Sequence, residues 1–207
     1  MAFTSSSLDE LKKKISDELS AVRFRHTRGG LDAAMALAEF FPELSKKEIS
    51  AAALLHDVAK EMPKEEQERL AVEYIGVLDP ADLASPQILH SLAAPARVKR
   101  DFPAFATPAV LSAVLKHTTG DESMSVFDKI IFVSDYIETG RTYFDSVKVR
   151  EELFSELLQA KGREECERAL NRACLAEING TLASLAARGL AVHPWTERAR
   201  KTLSSII

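Results

Sequence analysis

The stretch "LLHDVAKEMP", residues 54–63, sets a histidine and an aspartate side by side in an otherwise apolar run. Its apolar positions Leu54, Leu55, Val58 and Met62 suit one buried helical face, because they recur at the spacing of a 3.6-residue period. His56 and Asp57 interrupt that face, and burying a polar side chain costs roughly 1–3 kcal/mol unless it finds a partner. Consecutive helical residues point about 100° apart, so both side chains can reach a ligand lying against the helix. Neither completes a site alone.

Helical start and stop signals recur along the chain. Ser7 with Glu10 and Ser45 with Glu48 have capping-box spacing, as does Ser125 with Asp128. Pro86 and Pro108 suit first helical positions, and Pro42, Pro63 and Gly189 suit stops. Helices are expected at 8–20, 23–41, 46–61, 64–76, 86–100, 108–118, 126–138, 147–160, 164–188 and 196–205. "KIIFVSDYI" is rich in β-branched and aromatic residues, but its start signal and apolar spacing favour a buried helix. No repeat or linker divides the chain. The expectation is an all-α, single-domain helical bundle, with residues 1–19 as an N-terminal helix packed on a domain of residues 20–207.

Composition excludes several classes. With 207 residues, 46% hydrophobic, 28% charged and a net charge of −4, the chain lacks the basic balance of a nucleic-acid-binding protein. "MAFTSSSLDELKKK" has no apolar targeting core, and no apolar run approaches the roughly 20 residues of a membrane helix. Cys166 and Cys174, about 12 Å apart along one expected helix, cannot bridge each other within it. A reduced, cytoplasmic setting with no nucleic-acid or membrane partner is expected. Amphipathic C-terminal helices are compatible with a homodimer.

The chain has only five histidines, His26, His56, His90, His117 and His193. A lone histidine on an apolar face is ordinarily a hydrogen-bonded core residue; four beside apolar residues, with Asp57, ask for a common partner. A metal satisfies imidazole nitrogens and carboxylates together, and such a donor set suits iron, manganese, zinc or cobalt. Asp135, in "IIFVSDYIETGR", is a second carboxylate in an apolar helix. It is a metal ligand or the partner of a buried arginine such as Arg141.

The order His26, His56-Asp57, Asp135 resembles the HD-domain metal-dependent phosphohydrolases. More closely, the chain resembles the YqeK family of symmetrical bis(5′-nucleosyl)-tetraphosphatases. The resemblance is carried by "RFRHTRGGLDAAMALAEFF", "AALLHDVAKEMP", "ILHSLAAPARV", "VLKHTTGDESMSVFDKIIFVSDYIETGR" and "VHPWTERAR", from about residue 20 to 200. It implies an HD fold with two divalent metals, iron expected, in one pocket between helices. By position, His26, His56, Asp57 and Asp135 hold the first metal, and His90 and His117 the second, with Asp57 bridging. It further implies hydrolysis of diadenosine tetraphosphate into two ADP by a metal-bridging hydroxide.

Lys60, one helical turn beyond His56, then becomes a phosphate contact and catalytic candidate; Arg28, Arg141, Thr118 and Thr119 are further substrate-binding candidates. Gly29 and Gly30 permit a close approach near His26, or mark a later helix start. His193 reads as structural, and Trp195 gives no stacking argument by itself. The chain departs from the family pattern at "SLAAP" after His90, at Asp121-Glu122-Ser123 in place of an Arg-Pro turn, and at Thr139 in place of proline. Other readings are a hydrolase of another nucleotide and a regulatory module that binds nucleotide without turnover.

Overall fold

The computed structural model describes residues 5–207. Helix α1 runs Ser5–Glu18, α2 Ala21–Ala38, α3 Lys46–Leu55, α4 Lys64–Ile75, α5 Pro80–Ala84 and α6 Leu89–Asp101. They are followed by α7 at Pro108–Lys116, α8 at Val126–Ile137, α9 at Phe144–Gln159, α10 at Arg163–Ala187 and α11 at Pro194–Ile206. Short 3₁₀ turns occupy Pro86–Ile88 and Pro103–Phe105, and there is no strand among the described residues. The all-α expectation holds, and "KIIFVSDYI" is helical.

Local sequence explains most of the starts. Ser45 Oγ accepts from Glu48 N at 3.3 Å, and Thr107 Oγ1 from Val110 N at 3.4 Å. Ser125 and Asp128 form a reciprocal capping box, with contacts of 2.8 and 3.1 Å. Each such cap contributes roughly 1 kcal/mol. At the first helix the signal sits elsewhere: α1 already includes Ser5, so the Ser7–Glu10 spacing lies inside it.

One core joins the elements. It takes Leu11 and Ile15 from α1, Leu37 from α2, Leu55 from α3, Ile130 from α8, Leu170 from α10 and Leu203 from α11. The segment assigned to residues 1–19 thus shares this core, while its residues 1–4 lie outside those described. Two satellite clusters lie at the α4–α6 interface, around Leu70 with Ala93 and around Ala71 with Leu89.

The helix expected over 46–61 is corrected. α3 ends at Leu55, and residues 56–62 form tight turns closed by Val58 N to Leu55 O, Lys60 N to Asp57 O and Met62 N to Ala59 O. Such i to i+3 bonds wind the chain at three residues per turn, so side chains three apart eclipse. Lys60 is therefore aligned with Asp57 rather than His56. Leu54, Leu55 and Val58 are nonetheless almost fully buried, each burial contributing roughly 1.5–3 kcal/mol, and they anchor the turn. The loop expected at 77–85 carries α5, whose Asp79 and Asp82 cap it reciprocally. α9 starts at Phe144, three residues ahead of expectation.

Candidate metal centre

Five elements converge where the apolar pattern was interrupted. α2 brings His26, the turn after α3 brings His56, Asp57 and Lys60, and α6 brings His90. His117 caps the C-terminal end of α7, and Asp135 projects from α8. One ligand atom each from His26, His56 and Asp135 lie within 4.8 Å of one another; Asp57, His90 and His117 form a second such group.

Asp57 stands between the groups. Its Oδ2 is 3.7 Å from Nε2 of both His26 and His56, while its Oδ1 is 3.3 Å from His90 Nε2 and 3.6 Å from His117 Nε2. Each oxygen faces a different pair of imidazoles, the disposition that a carboxylate bridging two cations requires.

The imidazole tautomers follow from their partners. His56 Nδ1–H donates to Ala53 O at 2.8 Å, and His117 Nδ1–H to Val114 O at 2.9 Å. A carbonyl only accepts, so both Nε2 atoms carry lone pairs aimed into the cluster. His56 Nε2 is buried without a hydrogen-bond partner. His26 Nε2 likewise has none, and it faces Asp135 Oδ1 at 2.8 Å. Buried acceptors facing carboxylate oxygens leave a deficit of positive charge, and divalent cations fit that donor set.

Charges in the cluster are strongly coupled. Burial works to raise Asp57, but the imidazoles of His56, His117 and His90 facing its oxygens hold its carboxyl well below the usual carboxylate range. Asp135 is also held well below that range, its burial outweighed by His26 and Arg141. Burial lowers His56 and brings His90 to about 4, whereas at His26 the burial effect is overcome by Asp135 and the value rises.

The sign for metal-free stability follows. Below about pH 6.5 the unfolded chain protonates His56 and His90 more readily than the fold does, for His90 down to about pH 4, so stability falls on acidification. His26 acts oppositely and offsets part of this. Thermal melts of metal-free protein are expected to give a lower Tm at pH 5 than at pH 7; an equal or higher Tm at pH 5 contradicts this charge arrangement.

Among the candidate substrate contacts, Lys60 Nζ lies 3.2 Å from His90 Nε2, and burial lowers its pKa. Arg141 Nη2 donates to Asp135 Oδ1 at 2.7 Å, so Asp135 meets both the histidine cluster and the arginine. Thr118 Oγ1 is 3.1 Å from His90 Nε2 and 3.0 Å from His117 Nε2. Thr119 is corrected: it is buried, and its hydroxyl donates to Gly120 O at 2.9 Å, a turn contact. Arg28 is also corrected. It is exposed and lines neither cavity at the cluster. Two residues past His26, it points about 200° around α2.

Arg23 takes that place. Three residues before His26 it shares its face, and its Nη1 donates to Asp57 Oδ2 at 2.8 Å. With Arg25, Lys60 and Arg141 it lines a cavity of about 510 Å³ beside the cluster. A second cavity, of about 470 Å³, opens on the α8–α10 side and shares Arg141 and Tyr143 with the first.

Glu138 is a second unanticipated group. Its Oε1 is 3.3 Å from His26 Nδ1, and its Oε2 accepts from Gly140 N at 2.6 Å. The glycines explain its fit: a Cβ on Gly29 would lie 2.3 Å from Glu138 Oε2, and one on Gly140 2.9 Å. α2 begins at Ala21, so Gly29 is a mid-helix vacancy for this carboxylate, not a helix start. Gly29→Ala is expected to push Glu138 off His26 and weaken metal affinity about 10- to 100-fold, the usual effect of losing such a support, with little change in Tm. Metal titration of the refilled apoprotein reads this directly, and unchanged affinity contradicts it.

Outside the cluster, His193 is structural as expected. Its Nε2–H donates to Asp82 Oδ1 at 3.0 Å and its Nδ1 accepts from Trp195 N at 3.3 Å, tying the start of α11 to α5. Asp121 and Glu122 pair with Lys116 and Arg198 and line neither cavity, so these acidic residues stand away from the cluster.

An all-helical bundle with a histidine–aspartate cluster at its centre defines the HD domain, and residues 23–140 match the HD domain family, to which the chain belongs. Along its length it is similar to the symmetrical bis(5′-nucleosyl)-tetraphosphatase of Bacillus subtilis, at 34% identity over 70% of this chain and 77% of that protein. It is similar to the protein of the same description from Halalkalibacterium halodurans, at 32% identity over 69% and 75%. Within the HD proteins, the chain therefore belongs to the family of symmetrical bis(5′-nucleosyl)-tetraphosphatases. An HD superfamily hydrolase of Clostridium acetobutylicum, described as involved in NAD metabolism, superposes with a TM-score of 0.82 at 27% identity over 99% of both chains. No helix among the described residues is long and apolar enough to cross a membrane.

Proposed function

We propose that this protein hydrolyses diadenosine tetraphosphate symmetrically to two ADP, using two divalent metal ions. His26, His56, Asp57 and Asp135 hold one ion, and His90 and His117 hold the other with Asp57 shared. Iron is the expected metal, and manganese, zinc and cobalt accept the same donors. The observation that carries this reading is Asp57, with one oxygen toward each histidine pair. Bound there, the metals supply Lewis-acid neutralisation of phosphoryl charge and an acidified water near neutral pH.

The chain's own residues account for substrate binding. A tetraphosphate needs more positive charge than two ions bring, and Arg23, Arg25, Lys60 and Arg141 line the cavity at the cluster. Arg23 Nε is buried without a partner and Arg23 Nη1 is fixed on Asp57, so the guanidinium is held with donor capacity to spare. In the reaction, water oxygen bonds to one of the two central phosphorus atoms, and the P–O bond to the central bridging oxygen breaks. That oxygen leaves with the second ADP. Glu138 holds the His26 ring by its Nδ1, and the Ala53 and Val114 carbonyls hold His56 and His117.

The test is anaerobically purified protein, loaded in turn with each of the four metals and given diadenosine tetraphosphate. ADP as the sole nucleotide product is expected. AMP with ATP overturns symmetric cleavage, and no turnover with any metal favours the regulatory-module reading.

A further inference from the structure

The cavity of about 470 Å³ on the α8–α10 side contains a buried acid for which the proposed hydrolysis has no use. Glu177 of α10 is 6% exposed, lines this cavity, and has its Oε2 buried without a hydrogen-bond partner among the described residues. Burial pushes its carboxyl well above the usual carboxylate range, and the charge of Asp135 adds to the effect. An unpartnered buried carboxyl destabilises a fold, and an apolar side chain of similar size there would serve packing better. Such a group is retained where a ligand completes its hydrogen bonds.

The rest of the cavity suits a flat ring with one polar edge. Half-buried Tyr136 of α8 faces α10 at Gly180, where a Cβ would lie 3.2 Å from the Tyr136 hydroxyl. The same cavity is lined by His117, Thr118, Asp135 and Arg141, so it is continuous with the metal cluster and with an arginine proposed to bind phosphate. A nucleotide whose phosphates lie at Arg141 therefore has Glu177 within the same cavity as a partner for its base.

We propose that this cavity is a nucleobase pocket, in which the Glu177 carboxyl hydrogen-bonds the polar edge of a purine and Tyr136 forms an aromatic wall. The proposal rests on the nucleotide-hydrolase reading above and gives the site an asymmetry that its symmetrical substrate lacks. One nucleoside enters the Glu177 cavity, and the other half lies along the arginine- and lysine-lined cavity. The two cavities meet at Arg141 and Tyr143.

The experiment compares ADP with inorganic pyrophosphate, binding each to the metal-loaded wild type and to Glu177→Leu by calorimetry. Wild type is expected to bind ADP more tightly than pyrophosphate. Glu177→Leu should weaken ADP about tenfold, the loss of one hydrogen bond to a buried group, while leaving pyrophosphate unchanged. Its Tm should rise by a few degrees, since the unpartnered acid is gone. Equal wild-type affinities for ADP and pyrophosphate overturn the proposal, as does an unchanged ADP affinity in Glu177→Leu or a lowered Tm. Failure to hydrolyse diadenosine tetraphosphate with the ADP preference intact removes the reaction and leaves the pocket; hydrolysis without that preference does the reverse.

Discussion

Asp57→Ala is expected to yield a folded protein that holds little metal and turns over diadenosine tetraphosphate more than about 100-fold more slowly. Loss of a single outer support of a metal ligand already costs about 10- to 100-fold. Asp57 lies a step further in, with Oδ2 toward His26 and His56 and Oδ1 toward His90 and His117. Alanine removes donors from both groups at once and strands Arg23, whose Nη1 is 2.8 Å from Oδ2. The freed guanidinium then opposes a cation in the place the carboxylate had neutralised. Asp57→Asn keeps the shape and one acceptor oxygen, so it should retain more metal than alanine. Elemental analysis of anaerobically purified variants, with circular dichroism to establish folding, measures the effect. Unchanged metal content and rate in Asp57→Ala would sink the assignment.

What the sequence revealed about this centre depended on residue chemistry. Histidines and aspartates inside apolar helical patterns are costly without partners, which marked His26, His56, His90 and His117 with Asp57 and left Asp135 as a ligand or an arginine's partner; the resemblance to the HD phosphohydrolases joined the six, and the structure brings all of them together. The path of the chain at Asp57 was harder to read. Nothing between His56 and Met62 is a glycine or proline, so no local signal ends the helix at Leu55. The three-per-turn winding that aligns Lys60 with Asp57 is fixed by packing of Leu54, Leu55 and Val58 against the core. Around His26 the information was local: helical phase puts Arg23 on its face and Arg28 away from it. Glu138 left a trace only in Gly29 and Gly140, vacancies whose occupant is visible once α2 and the end of α8 are side by side. Glu177 left none, because only tertiary packing sets α10 against α8.

The contrast between Asp57 and Lys60 separates metal binding from phosphate binding. Lys60→Ala should retain metal and lower kcat/KM for diadenosine tetraphosphate by about 100-fold or more, the loss typical of one preorganised donor to a developing oxyanion. Its ammonium faces the cavity that Arg23, Arg25 and Arg141 also line, and its Nζ lies 3.2 Å from His90 Nε2. An ammonium cannot ligate a cation, so its removal takes nothing from either donor group. It relieves repulsion at His90, since Lys60 is among the charges that lower the His90 pKa. Metal affinity is therefore expected to stay equal or to rise slightly while turnover falls, the opposite pairing to Asp57→Ala. Lys60→Arg restores a cation, but its planar guanidinium cannot reproduce a point charge in the same space, so partial rescue is expected. Steady-state kinetics with metal analysis on the same preparations decides it. Metal lost in proportion to rate would move Lys60 from substrate binding into the support of the metal cluster, since His90 would then depend on Lys60 for its position.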